Sequence, residues 1–173
     1  MKRLAGLILV CFLLTVSSAF SAESKVGYVD LQKALNFSAA GKAAKETITA
    51  KVKEFEGKIE GKKAELQKLK EELEKQAILL SEQARSDKER DYQQKLKDFQ
   101  RYTKDALEEL QRADADYTRQ ILEKILKVVQ EVGEKEGYAM ILEKSESSLL
   151  YADEKIELTE KVIKAFDAQQ EKP

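Results

Sequence analysis

Residues 48–80 read ITAKVKEFEGKIEGKKAELQKLKEELEKQAILL, and their spacing decides the fold. Ile48, Val52, Phe55, Ile59, Leu66, Leu69, Leu73 and Leu80 follow one another at steps of four and three once Lys62 and Gln76 are counted into the register. A repeat of that period keeps one stripe of a helix turned toward a partner helix, so the segment reads as one leg of a coiled coil. A second stripe, Tyr92, Leu96, Phe99, Thr103, Ala106, Leu110, Ala113 and Tyr117, continues through Ile121, Ile125, Val128 and Val132 after an extra step of four. Such a step locally unwinds a left-handed supercoil. From Tyr117 onward Leu122, Leu126 and Val129 make the helix apolar on further faces, the pattern of a helix entering a core.

Between the stripes lies LLSEQARSDKERDY, residues 79–92, in which Ser86 and Glu89 form a capping box. Serine and glutamate at that spacing satisfy each other's orphan backbone donors, which predicts a helix start there and a turn within 81–86. A continuous rod is the alternative. Geometry favours the hairpin: from Ser38 to the turn and from the turn to Gly133 is about 47 residues each, or ~70 Å at 1.5 Å per residue, and equal legs return the chain to its origin. The second leg meets GEKEG, where Gly133 and Gly137 both suit a helix end. Gly57 and Gly61 each cost about 1 kcal/mol against Ala within a helix. They face outward in the heptads and read either as tolerated surface glycines or as a soft point of the arm. GKIEGKK, residues 57–63, is no phosphate loop, because it has three residues between the glycines and no Ser or Thr after the lysine.

Working outward, VGYVDLQKAL at 26–35 reads as a strand, Val26–Asp30, followed by a short helix, Leu31–Asn36. At the other end YAMILEK, a polar SES turn and SLLYAD read as a hairpin of two strands near 138–144 and 148–153. ELTEKVIKAFDAQ then supplies Thr159 as an N-cap and Val162, Ile163 and Phe166 as one apolar face. The expected architecture is mainly α with a small β body: a discontinuous body of residues 22–37 and 133–173, and an arm of residues 38–132. Val26, Tyr28, Val29, Ile141, Leu149, Leu150, Val162 and Phe166 are the candidate body and oligomerisation residues. Three short strands and two short helices make a marginal core, and self-association is the natural remedy.

Composition agrees with long charged helices: 36% of residues are charged, Trp and His are absent, and the single Pro is the last residue. Residues 1–21 have Lys2 and Arg3, an apolar run from Leu4 to Val16, and small residues at Ala19 and Ser21, the layout of a secretory signal cut after Ser21 or after Ala19. The run is shorter than the ~20 residues a spanning helix needs, so no integral membrane segment is expected after its removal. Cys11 follows Val10 where a lipid-attachment site wants a small residue, which argues against lipidation. The remaining chain has no cysteine, so its stability must come from packing or assembly.

Loss of Lys2 and Arg3 leaves 29 basic residues against 32 acidic ones, a net charge of −3. Nucleic-acid binding rests on phosphate neutralisation and is not expected. Without His or mature Cys, the usual metal, nucleophile and acid–base sets can be assembled only from carboxylates, Lys, Ser, Thr or Tyr. Carboxylates such as Glu71, Glu72 and Glu74 sit on lysine-laced helical faces, as a solvated coiled coil requires. The chain reads as a binder, not an enzyme, with no catalytic residue, cofactor or metal.

VGYVDLQKAL, the charged helical hairpin, and GYAMILEKSESSLLYADEKIELTEKVIKAF at 137–166 together resemble the Skp/OmpH family of periplasmic chaperones of Gram-negative bacteria, over about residues 24–169. The flanking segments carry the specificity, since any coiled coil would match the middle. The resemblance implies a periplasmic homotrimer with a shared barrel-like β body and three hairpin arms around a cavity. It also implies an ATP-independent holdase for unfolded outer-membrane β-barrel proteins. Well-known members are strongly basic; the mildly acidic balance here argues against lipopolysaccharide binding through basic surface residues. Many weak contacts on arms hold an unfolded chain through multivalency. The candidate client contacts are Ile78, Leu79, Tyr102 and Leu107, with Lys51, Lys58, Lys95 and Lys104 as electrostatic attractors. Each has an ordinary alternative, packing within the arm or a solvated face. The competing function is an exported coiled-coil spacer or adaptor that bridges envelope components.

Overall fold

The computed structural model describes residues 24–76, 79–147 and 149–170; the expected signal segment and Ile78 lie outside them. In chain order the elements are β1 (Lys25–Val29), α1 (Leu31–Phe37), α2 (Ala39–Gln76), α3 (Glu82–Glu136), β2 (Tyr138–Glu143), a 3-10 turn (Glu154–Ile156) and α4 (Thr159–Gln170).

The entry into the arm is a tight corner built from local chemistry. Asp30 caps α1 by accepting from the Lys33 backbone N–H at 2.7 Å. Ser38 is fully buried and extended, with φ −65° and ψ 155°, and it closes one helix while opening the next. Its N–H donates to the Ala34 carbonyl, its hydroxyl donates to Leu35 O, and the same hydroxyl accepts from the Gly41 N–H at 3.2 Å. Asp167 of α4 accepts from the Ala39 N–H at 2.9 Å, so the terminal helix satisfies an orphan donor of the arm. Gly41 makes the corner possible. A Cβ there would stand 1.7 Å from Leu35 O.

α2 and α3, of 38 and 55 residues, pack antiparallel as the arm. Lys51 with Glu109, Glu65 with Lys95, and Glu72 with Lys88 bridge the legs in one constant register. The turn comes earlier than the capping box predicts. Ser81 caps α3, its hydroxyl accepting from Ala84 N at 3.3 Å and its carbonyl from Arg85 N at 2.9 Å. Ser86 instead lies inside the helix and accepts from the Arg90 guanidinium. Closing the turn early keeps the Lys88 ammonium in reach of both Gln76, at 2.9 Å, and Glu72. α3 also runs on past Gly133, which stays helical beneath the Ile141 side chain, and ends at Gly137 in the left-handed region, φ 71° and ψ 36°.

The legs are therefore unequal because the last turns of α3 belong to the body. Ile121, Ile125, Val128 and Val132 pack there with Val29, Ala34, Leu35, Leu158, Val162, Ile163 and Phe166 in a single buried cluster. Ile125, Val128, Val162 and Phe166 are almost completely enclosed. Leu126, on a face expected to enter this core, is nearly half exposed.

Among the described residues, the expected pairing of 138–144 with 148–153 does not form. β2 pairs instead with β1, in parallel, from Val26 opposite Met140 to Val29 opposite Glu143. A parallel pair needs a long crossover, and here the whole arm is that crossover. After β2 the Lys144 N–H donates to Val29 O at 2.9 Å, and the chain turns as Ser147 N–H donates to Glu143 O at 3.1 Å. Residues 149–153 then run without strand structure, and Leu150 is 99% exposed. β-propensity is mostly packing against neighbours, and this side chain has almost none.

Candidate functional site

The two sequence segments at either end of the chain meet in the body. β1 exposes its second edge to the residues before α4: Leu158 N–H donates to Tyr28 O at 2.8 Å, and Tyr28 bridges to Glu157. Asp30 N–H donates to the buried Thr159 hydroxyl at 3.0 Å. Lys33 reaches Glu160 at 3.0 Å and Glu157 at 3.9 Å, while Lys144 faces Asp30 at 3.7 Å. Burial, then the Glu157 carboxylate, pushes the Tyr28 phenol above its ordinary range. The Glu160 carboxylate likewise raises Lys33.

Of the candidate body residues, Tyr28, Val29, Val162 and Phe166 are buried, and Ile141 and Leu149 are half-buried, Ile141 against the core cluster. Val26 and Leu150 lie at the surface. Val26 sits beside Met140 across the parallel pair, and both are exposed. Phe37, Leu126 and Tyr151 join them as large exposed apolar residues that the sequence analysis did not single out as surface contacts. Phe37 has a signal in the sequence, as an aromatic at the end of a short helix just before a serine. Met140 has none, because strand alternation does not say which face lacks a cover.

Along the arm, the four candidate lysines are all paired within the chain. Lys51 meets Glu109 at 2.7 Å and Lys95 meets Glu65 at 2.6 Å across the legs; Lys58 meets Glu54 at 2.5 Å and Lys104 meets Glu108 at 3.7 Å along a helix. Hydrogen bonding to these carboxylates raises Lys51, Lys58 and Lys95, and lowers Glu54 and Glu65. Tyr102 packs inside the arm, its ring edge-on to Phe55 with centroids 6.2 Å apart and the Lys62 ammonium 5.1 Å above its centre. Its hydroxyl is buried without a partner. Among the described apolar candidates, Leu79 at the turn, 84% exposed, and Leu107 on the shaft, 57% exposed, are open to solvent.

Among the described residues there is no group of three or more His, Cys, Asp or Glu placed to hold a metal ion. In them, too, no helix is long and apolar enough to cross a membrane. An open groove of about 390 Å³ lies at the arm's root, lined by Leu35, Ala44, Ile48, Tyr117 and Ile121 among others. The arrangement offers apolar and charged contacts spread over a long shaft.

The model of the family described as "Outer membrane protein (OmpH-like)" matches residues 25–166, from β1 through the arm to Phe166 in α4. No curated protein matches by sequence. Among solved structures, a proposed outer membrane chaperone (OmpH-like) from Caulobacter crescentus CB15 has a TM-score of 0.79 at 16% sequence identity. The match covers 84% of this chain and 85% of that one, and at such identity the likeness is one of fold.

Proposed function

This chain belongs to the OmpH-like family, and we propose from that premise that it is an ATP-independent holdase of the periplasm. In this reading it assembles as a trimer and holds unfolded outer-membrane β-barrel proteins between its arms. The observation that carries the proposal is the extent of the family match, which takes in the body and the whole arm together.

The chemistry of the surface supports it. A holdase needs broad, weak, reversible contact, and Leu79 and Leu107 present isolated apolar side chains along a charged shaft. The paired lysines would act as a patterned surface of alternating sign more than as free cations. Exposed Val26 and Met140, neighbours across β1 and β2, and exposed Leu150 and Tyr151 give self-association apolar side chains to cover.

The test is dilution of a urea-unfolded outer-membrane barrel into buffer, with and without the purified mature chain and without nucleotide, beside a light-scattering mass. A trimer mass with suppressed aggregation is expected. A stable monomer, or aggregation that proceeds unchanged, would overturn the proposal. A single stoichiometric folded partner in a pull-down from envelope extracts would favour the adaptor reading instead.

A further inference from the structure

The groove at the root of the arm has an apolar interior and two sides of opposite sign. Leu35 and Ile121 in its lining are buried, and Ala44, Ile48 and Tyr117 are half-buried. The exposed part of the lining is polar and comes from both legs, Lys45 and Thr49 from α2 and Asp114 from α3. In the register set by the three cross-leg pairs, Lys45 comes level with Ala115, one residue from Asp114. Among the described residues neither Lys45 nor Asp114 takes part in an ion pair, whereas Lys51, further along α2, is closed by Glu109 at 2.7 Å. Outward of Lys45 the surface of α2 adds Lys42 and Lys53 against Glu46, so the α2 side is cationic and the α3 side anionic.

That polarity selects among ligands. An amphiphilic anion that satisfied Lys45 would turn its charge toward Asp114, and a cation on Asp114 would face the lysines. An extended polypeptide crossing the two legs satisfies both. When one of its large apolar side chains enters the groove, the residues before and after it stand about 7 Å apart, against the 8–10 Å between the axes of packed helices. Glu and Lys side chains are long enough to reach the two lips from there, their stems lying along apolar surface. The order charged, apolar, charged is also the alternation of a membrane barrel strand, which turns one face to lipid and the other to water.

We propose that the root groove is a site that reads this alternation in an extended segment. One large apolar side chain enters between Ala44 and Tyr117, an acidic neighbour meets Lys45, and a basic neighbour meets Asp114. The inference rests on the holdase reading above and gives it a weak contact at a defined place on every chain.

Titration of the full mature chain with blocked peptides, followed through the NMR shifts of Ala44, Ile48 and Ile121, tests the site. Ac-Ser-Glu-Phe-Lys-Ser-NH2 should bind about tenfold more tightly than the same peptide with Ala in place of Phe. It should bind about threefold more tightly than peptides with Glu on both sides of Phe or Lys on both sides. Ala44→Leu fills the groove and should abolish binding, while Ala43→Leu, in the separate hollow beyond the Ala44 and Tyr117 contact, should leave it unchanged. Asp114→Lys should move the preference to the peptide with two Glu. Equal binding of the Phe and Ala peptides, unchanged binding in Ala44→Leu, or a charge preference indifferent to Asp114→Lys would overturn the proposal. Tighter binding of dodecanoate than of any peptide would assign the groove to an amphiphilic anion and overturn it too.

A benzophenone side chain at Asn36, an exposed lining residue, should crosslink to a urea-unfolded outer-membrane barrel on dilution, and no crosslink would refute use of the groove by such chains. If the peptides behave as expected while the barrel aggregates unchecked, the holdase reading fails and the peptide site stands. If the barrel is protected but the peptides do not discriminate, the groove falls alone.

Discussion

Three glycines of one helix should respond to the same substitution with opposite signs. In Gly57→Ala and Gly61→Ala the new methyl meets no atom within 4 Å, so the helix gains up to about 1 kcal/mol per site from the lost backbone freedom of the unfolded chain. Gly41→Ala offers the same gain but places its Cβ 1.7 Å from Leu35 O and 2.9 Å from Leu35 C. Both are backbone atoms, so no rotamer change relieves the clash. The corner must open, which loosens the Gly41 N–H bond to Ser38 and the Asp167 cap on Ala39. Overpacking costs about 1–3 kcal/mol, and the two strained hydrogen bonds about 1 kcal/mol each, so the net expectation is a loss of roughly 2–4 kcal/mol. Urea unfolding at one fixed protein concentration measures this through the midpoint at constant slope. A Gly41→Ala midpoint at or above that of the unsubstituted protein would refute the close approach on which the corner argument depends.

Other expectations can be checked on the same footing. Thr159→Val keeps the shape but removes the acceptor of the Asp30 N–H, and should cost about 1–3 kcal/mol of unfolding free energy; no loss would mean that bond contributes nothing. Tyr102→Phe deletes a buried hydroxyl that has no partner and should raise stability by up to about 1 kcal/mol, so a fall would show the hydroxyl to be bonded. The arm should also respond to pH at both extremes. The lowered carboxyls of Glu54 and Glu65 contribute above their unfolded values and lose that contribution as pH falls through the folded ones; the raised ammoniums of Lys51 and Lys95 contribute below their unfolded value and lose it as pH rises through the folded one. Helicity should be flat from about pH 6 to 9 and fall slightly on either side, with E65Q reducing the acid limb. An acid limb unchanged in E65Q would show that this pair does not hold the legs.

The arm was legible because its determinants are local. Ile48, Val52, Phe55 and their successors state their period within a few turns, and a helix needs no distant partner to declare its face. The short helices are less local: Asp30, read as the end of the first strand, caps α1, while Thr159, expected as an N-cap, is the first residue of α4 and turns its hydroxyl to the Asp30 N–H instead. The turn was displaced by five residues because Ser81 and Ser86 both satisfy a local capping rule. What chose between them was the reach of Lys88 to Gln76 and Glu72 across the legs.

The candidate contacts were less legible, for a related reason. Heptad spacing names the seam but does not say which flanking side chains fold back onto it, so Tyr102 and Leu107 look alike in sequence. One packs on Phe55 while the other faces water. The lysines look free until their carboxylate partners arrive from the opposite leg, as Glu109 does for Lys51.

By itself the sequence determined a helical hairpin, a glycine-terminated second leg and a compact end containing residues from both termini. It also contained the two segments that carry the family likeness, and these turn out to touch: Tyr28 with Glu157, Asp30 with Thr159, Lys33 with Glu160. Only the tertiary structure decided how the strands pair. SLLYAD also reads as a strand, yet β2 took β1 as its partner across the whole arm and left Leu150 in solvent. A helix makes its hydrogen bonds within itself, whereas a strand makes them with whichever edge the rest of the chain brings alongside.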